Sequence, residues 1–454
     1  MRSNASSTRY SSASIGRTLF GLYCLGAALD FHSSQDVGNT FQICLGAFCC
    51  LVFALFALNV RRTKSSLTLL RRVAWLWWVY LATTPLVALL RGYDFTHYLR
   101  VALPQFLMGT SLMMGYLLLS ESKANAALIF KGLFYCSICS SLIYLIRGLT
   151  SGASLENLRY TIASPLLIIV VSFALYRLLF EGAKSGFLNL VALVGGLCVV
   201  FLTVTRSYYV SIASLILAIA LILFRPPSWL KRGLRRRLIW NLVLLSLVLG
   251  VFAAGMTIMF PDVLAHWSAR SASLGAQDPT TLTRLAEAAG EIEAMRADTS
   301  HLLFGSGLGS EHKYDERLLI GVAEAKAEAS GINFSPGHIG WVYQFYACGL
   351  LLGWVSLFAF IVAIWKGNSS QTPYVARMAG IAVIAVFVTS TMGNMLGDRS
   401  SGLGMGLLIA LSLYGVESAE KAPKARQVIR RRILLSRLSR PALGGSISPS
   451  ASVE

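Results

Sequence analysis

Charged residues are scarce in this chain. They make up 13% of its 454 residues against 55% hydrophobic ones, and the mean hydropathy is +0.62. Soluble domains average about 25% charged residues, so a water-soluble globular class is excluded. Acids are scarcer still, 21 against 40 Lys and Arg. The six histidines (His32, His97, His266, His301, His312 and His338) lack metal-ligand spacing of the His-x3-His kind. All eight cysteines, the adjacent Cys49 and Cys50 included, fall in apolar segments. There they read as small packing residues rather than a disulfide framework. No metal site and no cofactor is therefore expected. The Ser-rich, basic N-terminus has no cleavage site after a short apolar run, so the first apolar segment is expected to stay as an anchor. No internal repeat points to the repeat-built architecture of many transporters.

What the chain does have is long apolar runs. At about 20 residues per crossing, they predict an all-α polytopic membrane protein of twelve transmembrane helices. These lie near 16–32, 40–60, 73–90, 98–119, 127–148, 161–180, 187–204, 207–224, 239–260, 338–365, 377–396 and 401–416. The first is the least apolar, with Asp30 and His32 at its end, and the seventh and eighth share a very tight turn. The organisation reads as a tail (1–15), nine spans (16–260), one long polar loop (261–337), three spans (338–416) and a basic tail (417–454). Within that last tail, R-Q-V-I-R-R-R-I-L-L-S-R-L-S-R has the pattern of a basic amphipathic helix for the inner leaflet, although a solvated tail explains it as well.

The net charge of +19 invites a nucleic-acid partner, and its distribution removes one. With both termini cytoplasmic, 28 of the 40 basic residues fall on the inner side and 12 on the outer. That is the positive-inside pattern, so the basic balance orients the protein and meets membrane lipids. The 261–337 loop holds 11 of the 21 acids and only six basic residues, and it falls on the outer side. All six histidines fall there too.

The loop carries the candidate chemistry. D-P-T-T-L-T-R-L-A-E-A-A-G-E-I-E-A-M-R-A-D predicts a helix capped by Thr280 or Thr281, with Leu282, Leu285, Ala289 and Ile292 facing the membrane domain and Arg284 beside that stripe. L-L-F-G-S-G-L-G-S follows as a tight turn; without a Lys-Ser/Thr after it, it is no nucleotide loop. A second helical stretch, R-L-L-I-G-V-A-E-A-K-A-E-A-S, precedes Gly331. His338 stands where polar sequence hands over to an apolar helix, on the first turn of the tenth span. A neutral imidazole there suits acid–base work, and equally suits hydrogen bonding of the loop's return. Arg206, in F-L-T-V-T-R-S-Y-Y-V, sits at the outer end of spans 7 and 8, as an anion binder or as a snorkelling anchor. Asp398 and Arg399 read as a local ion pair, and Gly349 and Gly353 as a close helix-packing face.

This ordered set resembles the O-antigen ligase and O-antigen (exopolysaccharide) polymerase superfamily of bacterial inner-membrane proteins. The likeness rests on the dozen spans, a large outer loop before the last three, the T-R-S-Y turn at Arg206, and a loop-ending His followed by ten residues and Gly, here His338 to Gly349. It implies a metal-independent glycosyltransferase whose donor is an undecaprenyl-diphosphate-linked saccharide at the periplasmic face. It also implies that His338 is catalytic at the acceptor, and that Arg206 and a loop arginine bind the donor diphosphate. For the latter, Arg284 is the first candidate; the ligase pattern has Leu four residues on, where this chain has Ala288. Arg270 does have Leu274 at that spacing, so both stay open.

That mismatch favours a polymerase of repeat units over a ligase acting on lipid A–core. Arginine suits either, because its planar fork binds phosphate oxygens bidentately and stays charged at membrane depth. The acceptor is a saccharide or lipid A–core, and other polysaccharide-assembly proteins are expected neighbours. A transporter or flippase is the reading from a different class, and a structural assembly subunit a third. Against the transporter stand the late outer loop and the scarcity of paired acid and base residues deep in the spans.

Overall fold

The structure is a computed structural model that describes residues 4–30, 39–60, 67–92, 95–151, 161–182, 186–224, 226, 230, 232–272, 278–319, 337–393 and 401–414. The expectations placed on His32, on Asp398 and Arg399, on the loop beyond Leu319 and on the C-terminal tail lie outside these residues.

Among the described residues the elements are helices, with no strand. Nine run before the loop: α1 (Asn4–Ala28), α2 (Asn39–Asn59), α3 (Thr68–Leu90), α4 (Phe95–Glu121), α5 (Asn125–Thr150), α6 (Leu167–Glu181), α7 (Phe187–Thr203), α8 (Arg206–Phe224) and α9 (Arg232–Met259). The loop holds α10 (Pro261–Ala272), α11 (Pro279–Ala297), α12 (Thr299–Phe304) and a 3-10 turn (Glu316–Leu319). Then come α13 (Gly340–Leu352), α14 (Trp354–Gly367), α15 (Tyr374–Met392) and α16 (Ser401–Tyr414). Apolar runs fold this way because a helix satisfies every backbone donor and acceptor within its own segment. Among the described residues, six helices are long and apolar enough to cross a membrane, or seven if α13 and α14 form one bent span; α7, α16 and part of α2 are apolar but shorter. The chain is an all-α, multi-pass membrane protein.

Burial sorts the helices. In α4, 78% of the apolar window is buried, against 6% in α9, which leaves α9 on the rim facing lipid. At the centre α16 crosses α4 backbone to backbone: a Cβ on Gly406 would lie 1.9 Å from Ser111 Oγ, and one on Gly402 2.2 Å from the Pro104 carbonyl oxygen. Gly349, expected with Gly353 to form a close helix-packing face, is itself in close contact, its Cβ position lying 2.4 Å from the Leu303 carbonyl oxygen. All eight cysteines are free thiols. Cys136 and Cys139, although at Cys-x2-Cys spacing, are one buried and one exposed residue of α5 and join no cluster of three ligand groups among the described residues.

The expected continuous span 338–365 is broken instead. α13 and α14 meet at 101°. Gly349 has φ 65° and ψ −178°, a conformation open to glycine and hostile to side chains. Two carbonyls in the turn before the break, Tyr346 and Ala347, accept from the backbone N–H groups of Ser306 and Gly307, both at 2.8 Å. The glycine-rich loop thus binds the kinked helix rather than a phosphate, and its glycines at 305, 307 and 309 all have positive φ, as a tight turn requires.

The loop covers one end of the bundle. Arg91 at the end of α3 donates to Ser300 Oγ at 2.9 Å, and Trp267 of α10 donates to the Phe201 carbonyl at 3.1 Å. Gly309 packs on the backbone of His97 and Tyr98 at the start of α4. An apolar cleft of about 660 Å³ between α2, α3 and α4, lined by Arg71, Trp75 and Trp78, lies toward the opposite end of α3.

Candidate functional site

Helix α11 organises the site. Its cap is Asp278, not Thr280 or Thr281: the Asp278 carboxylate accepts from the Thr281 backbone N–H at 3.1 Å, and Pro279 takes the first helical position. The expected apolar stripe is not the docked face either, since Leu285 is exposed. Thr283, Ala286, Glu287 and Glu291 are buried instead, so the helix turns two carboxylates toward the protein.

Glu287 is the hub. One oxygen, Oε2, accepts from both the backbone N–H and the ring Nδ1 of His338, each at 2.8 Å. The other, Oε1, lies 2.8 Å from Nε2 of His312. Burial alone would push this carboxyl up, but the hydrogen bonds from His312 and His338, the His338 charge and its backbone N–H together outweigh it and hold Glu287 down at about 2. A carboxylate only accepts, so His338 must carry its ring proton on Nδ1 when neutral. Its Nε2 is then a lone-pair nitrogen with no partner among the described residues, on a side chain that is 43% exposed. His338 lies two residues before α13 rather than on its first turn, since Ile339 is the cap. The extended backbone there lets one residue donate to Glu287 twice.

Behind Glu287 the surroundings are closed. His312 is fully buried and ringed by Tyr314, Tyr343 and Tyr346, with ring centroids 6.1–6.3 Å away. Its Nδ1 has no partner among the described residues. Glu291, one turn beyond Glu287, is 1% exposed and neither carboxylate oxygen has a hydrogen-bond donor among the described residues. Burial, with the Glu287 charge added, pushes its carboxyl up to about 9.

The arginines sit elsewhere along α11. Arg206 opens α8 after a two-residue turn in which Val204 takes the left-handed conformation, with φ 49°, costly for a β-branched residue. Its Nη1 donates to Asp278 Oδ2 at 3.1 Å. An arginine at the positive end of a helix is poorly placed on its own, and the carboxylate answers it. The sequence alternatives of anion partner and snorkelling anchor thus resolve to an ion pair with the cap of α11. Arg284 is half-buried on α11 one turn before Glu287, on the same side of the helix. Nine residues of helix put Asp278 about 13 Å from Glu287 along the axis. Arg270 lies on α10, and its side chain is outside the described residues.

His338 was thus legible in sequence, whereas Glu287, Glu291, His312 and Asp278 were not assigned roles. The available signal was the i, i+4 pair of carboxylates in E-A-A-G-E, within a helix otherwise rich in alanine. No protein-family model matches the chain, and no curated protein matches it.

Proposed function

We propose that this protein is a glycosyltransferase of the bacterial inner membrane, with twelve spans, both termini cytoplasmic and the site at the periplasmic face. Its donor is a saccharide on undecaprenyl diphosphate, and it polymerises repeat units of an O-antigen or exopolysaccharide. One observation carries the reading: the ring Nδ1 of His338 lies 2.8 Å from the buried Glu287 carboxylate on a side chain that is 43% exposed, so that in the neutral ring Nε2 is the lone-pair nitrogen. That is the arrangement of a general base whose tautomer a second residue fixes.

In the proposed reaction an acceptor hydroxyl oxygen attacks the anomeric carbon while its proton passes to His338 Nε2. The bond from that carbon to the diphosphate oxygen breaks, and the electron pair leaves with the diphosphate. Glu287 is a positioning residue that also stabilises the imidazolium formed. Arg206 and Arg284, with Arg270 as the alternative, would meet the charge growing on the leaving group. Arg206 would exchange Asp278 for phosphate to do so.

Deletion of the gene with analysis of surface glycans tests this. Products of a single repeat unit are expected, and they identify a polymerase. Full-length chains stranded on the carrier would identify a ligase transferring to lipid A–core. Unchanged surface glycans would remove both.

The transporter reading gains one observation, the broken α13–α14 pair, since broken helices line many transport sites. Here the carbonyls of Tyr346 and Ala347 beside the break are occupied by Ser306 and Gly307 rather than turned to a cargo ion. Transport of label with no change in saccharide chain length would favour the transporter.

A further inference from the structure

The hydrogen bonds around Glu287 leave Glu291 unexplained. Both its oxygens are shut away from water with no donor among the described residues, a costly burial for a carboxyl group. Nor is it merely tolerated in a loose pocket. A Cβ on Gly337 would lie 2.2 Å from Glu291 Oε1, so the backbone next to His338 is packed directly on this carboxyl. A buried carboxyl packed this closely and left unanswered is built against something that answers it.

We propose that Glu287, Glu291 and His312 form a binding site for one divalent transition-metal ion of the zinc type. Ligand atoms of all three residues lie within 4.8 Å of one another. Two donors each about 2.1 Å from an ion stand about 3.0 Å apart at a right angle and about 3.4 Å apart at the tetrahedral angle. The 2.8 Å between Glu287 Oε1 and His312 Nε2 is close to the first of these. Two carboxylates and an imidazole favour zinc, manganese or iron over magnesium and calcium, which prefer all-oxygen shells with more ligands or water.

The ion would use Oε1 of Glu287 and leave Oε2 on His338. It lies on the closed side of Glu287 and touches no reacting atom, so the metal-independent chemistry implied by the family resemblance is unaffected. Its work is to fix the carboxylate that fixes the imidazole, in the way a metal and its outer shell orient one another. Metal-ligand spacing rules miss it because the third ligand comes from another segment, 25 residues after Glu287.

The test uses full-length protein purified in detergent without a histidine tag and stripped by a chelator. Zn²⁺ is titrated by calorimetry, and Co²⁺ is followed by its visible ligand-field absorption. The expected result is one ion per chain, a rise in Tm on adding Zn²⁺, and at least about 100-fold weaker binding in Glu291→Gln, beyond the 10–100-fold of a lost outer-shell partner. Glu293→Gln, at a neighbouring carboxylate whose side chain is 67% exposed, should bind as the wild type does. Wild-type protein that takes up no stoichiometric ion overturns the proposal, as does a folded Glu291→Gln protein that binds as tightly. If Glu291→Gln fails to fold, the wild-type cobalt spectrum decides: no ligand-field band means no site. Binding is read without any glycosyl transfer, so this test and the glycan test fail independently.

Discussion

Arg206 and Asp278 are 72 residues apart in the chain and meet at 3.1 Å, through the same Oδ2 that caps α11. One oxygen thereby ties the turn between two membrane helices to the start of the loop helix that bears Arg284, Glu287 and Glu291.

If Arg206 turns from Asp278 to a donor diphosphate, changes at the two positions have opposite signs. Arg206→Lys keeps the charge but loses the fork, and donor binding should weaken by about 1.5–3 kcal/mol, as should binding by Arg284→Ala. Asp278→Asn keeps a good cap while removing the competing charge, so it should bind donor more tightly; Asp278→Ala also loses the cap, about 1 kcal/mol of stability. Affinity for a purified polyprenyl-diphosphate saccharide measures all four. Unchanged affinity in both arginine variants would remove the diphosphate clamp.

His338→Ala should abolish polysaccharide formation at normal membrane abundance. Glu287→Gln keeps a hydrogen-bond acceptor for Nδ1 but removes the charge that stabilises the imidazolium. Its kcat should fall by about 10²–10⁴-fold with KM little changed, the range for a general base deprived of its support. A purely structural role for Glu287 predicts loss of protein from the membrane instead, which immunoblotting would reveal.

Gly349→Ala should destabilise the fold by at least about 1–2 kcal/mol, because a side chain at φ 65° is strained and its Cβ would lie 2.4 Å from the Leu303 carbonyl oxygen. Gly195→Ala has open space around it and serves as the control. Thermal unfolding in detergent compares them; equal Tm values would mean that the kink is not imposed by Gly349.

Asp298 gives a pH dependence. Hydrogen bonds from the Ser300 hydroxyl and backbone N–H hold its carboxyl below the ordinary 3.8. A lowered value in the folded state means stability that is fully present above about pH 4 and lost as pH falls through the folded value. Asp298 caps α12, whose last residues rest against Gly349. Unfolding followed from pH 6 to pH 2.5 should show the wild type losing this contribution and Asp298→Asn, which keeps an acceptor without titrating, showing a flatter acid limb. Parallel curves would contradict it.

Orientation is tested by cysteine labelling or reporter fusions. Positions in 261–337 should report the periplasm and fusions after Val416 the cytoplasm. Both regions on one side would contradict twelve spans and move His338 to the wrong face.

Helical character was legible because apolar runs in lipid have few alternatives to a helix. The break at Gly349 was not, since a glycine in a long apolar run reads as packing, and only the loop's approach gives the kink its hydrogen bonds. His338 stood out by its place between polar and apolar sequence. Glu287 did not, because a carboxylate in a loop helix reads as solvated until the fold brings His312 and His338 to either side of it. The cap was misplaced by two or three residues because threonines after a proline look like a start, whereas the aspartate before it does the work. Arg206 was found by position, and its partner lay in the loop, beyond any local pattern.

The pairing of Ser306 and Gly307 with the carbonyls of Tyr346 and Ala347 restricts how the outer segment can move. Lifting it would strip hydrogen bonds from a bent helix at the edge of hydrocarbon, where water is slow to replace them. The segment is therefore no hinged flap. Amide hydrogens of Ser306 and Gly307 should exchange with solvent about as slowly as those of α13 itself.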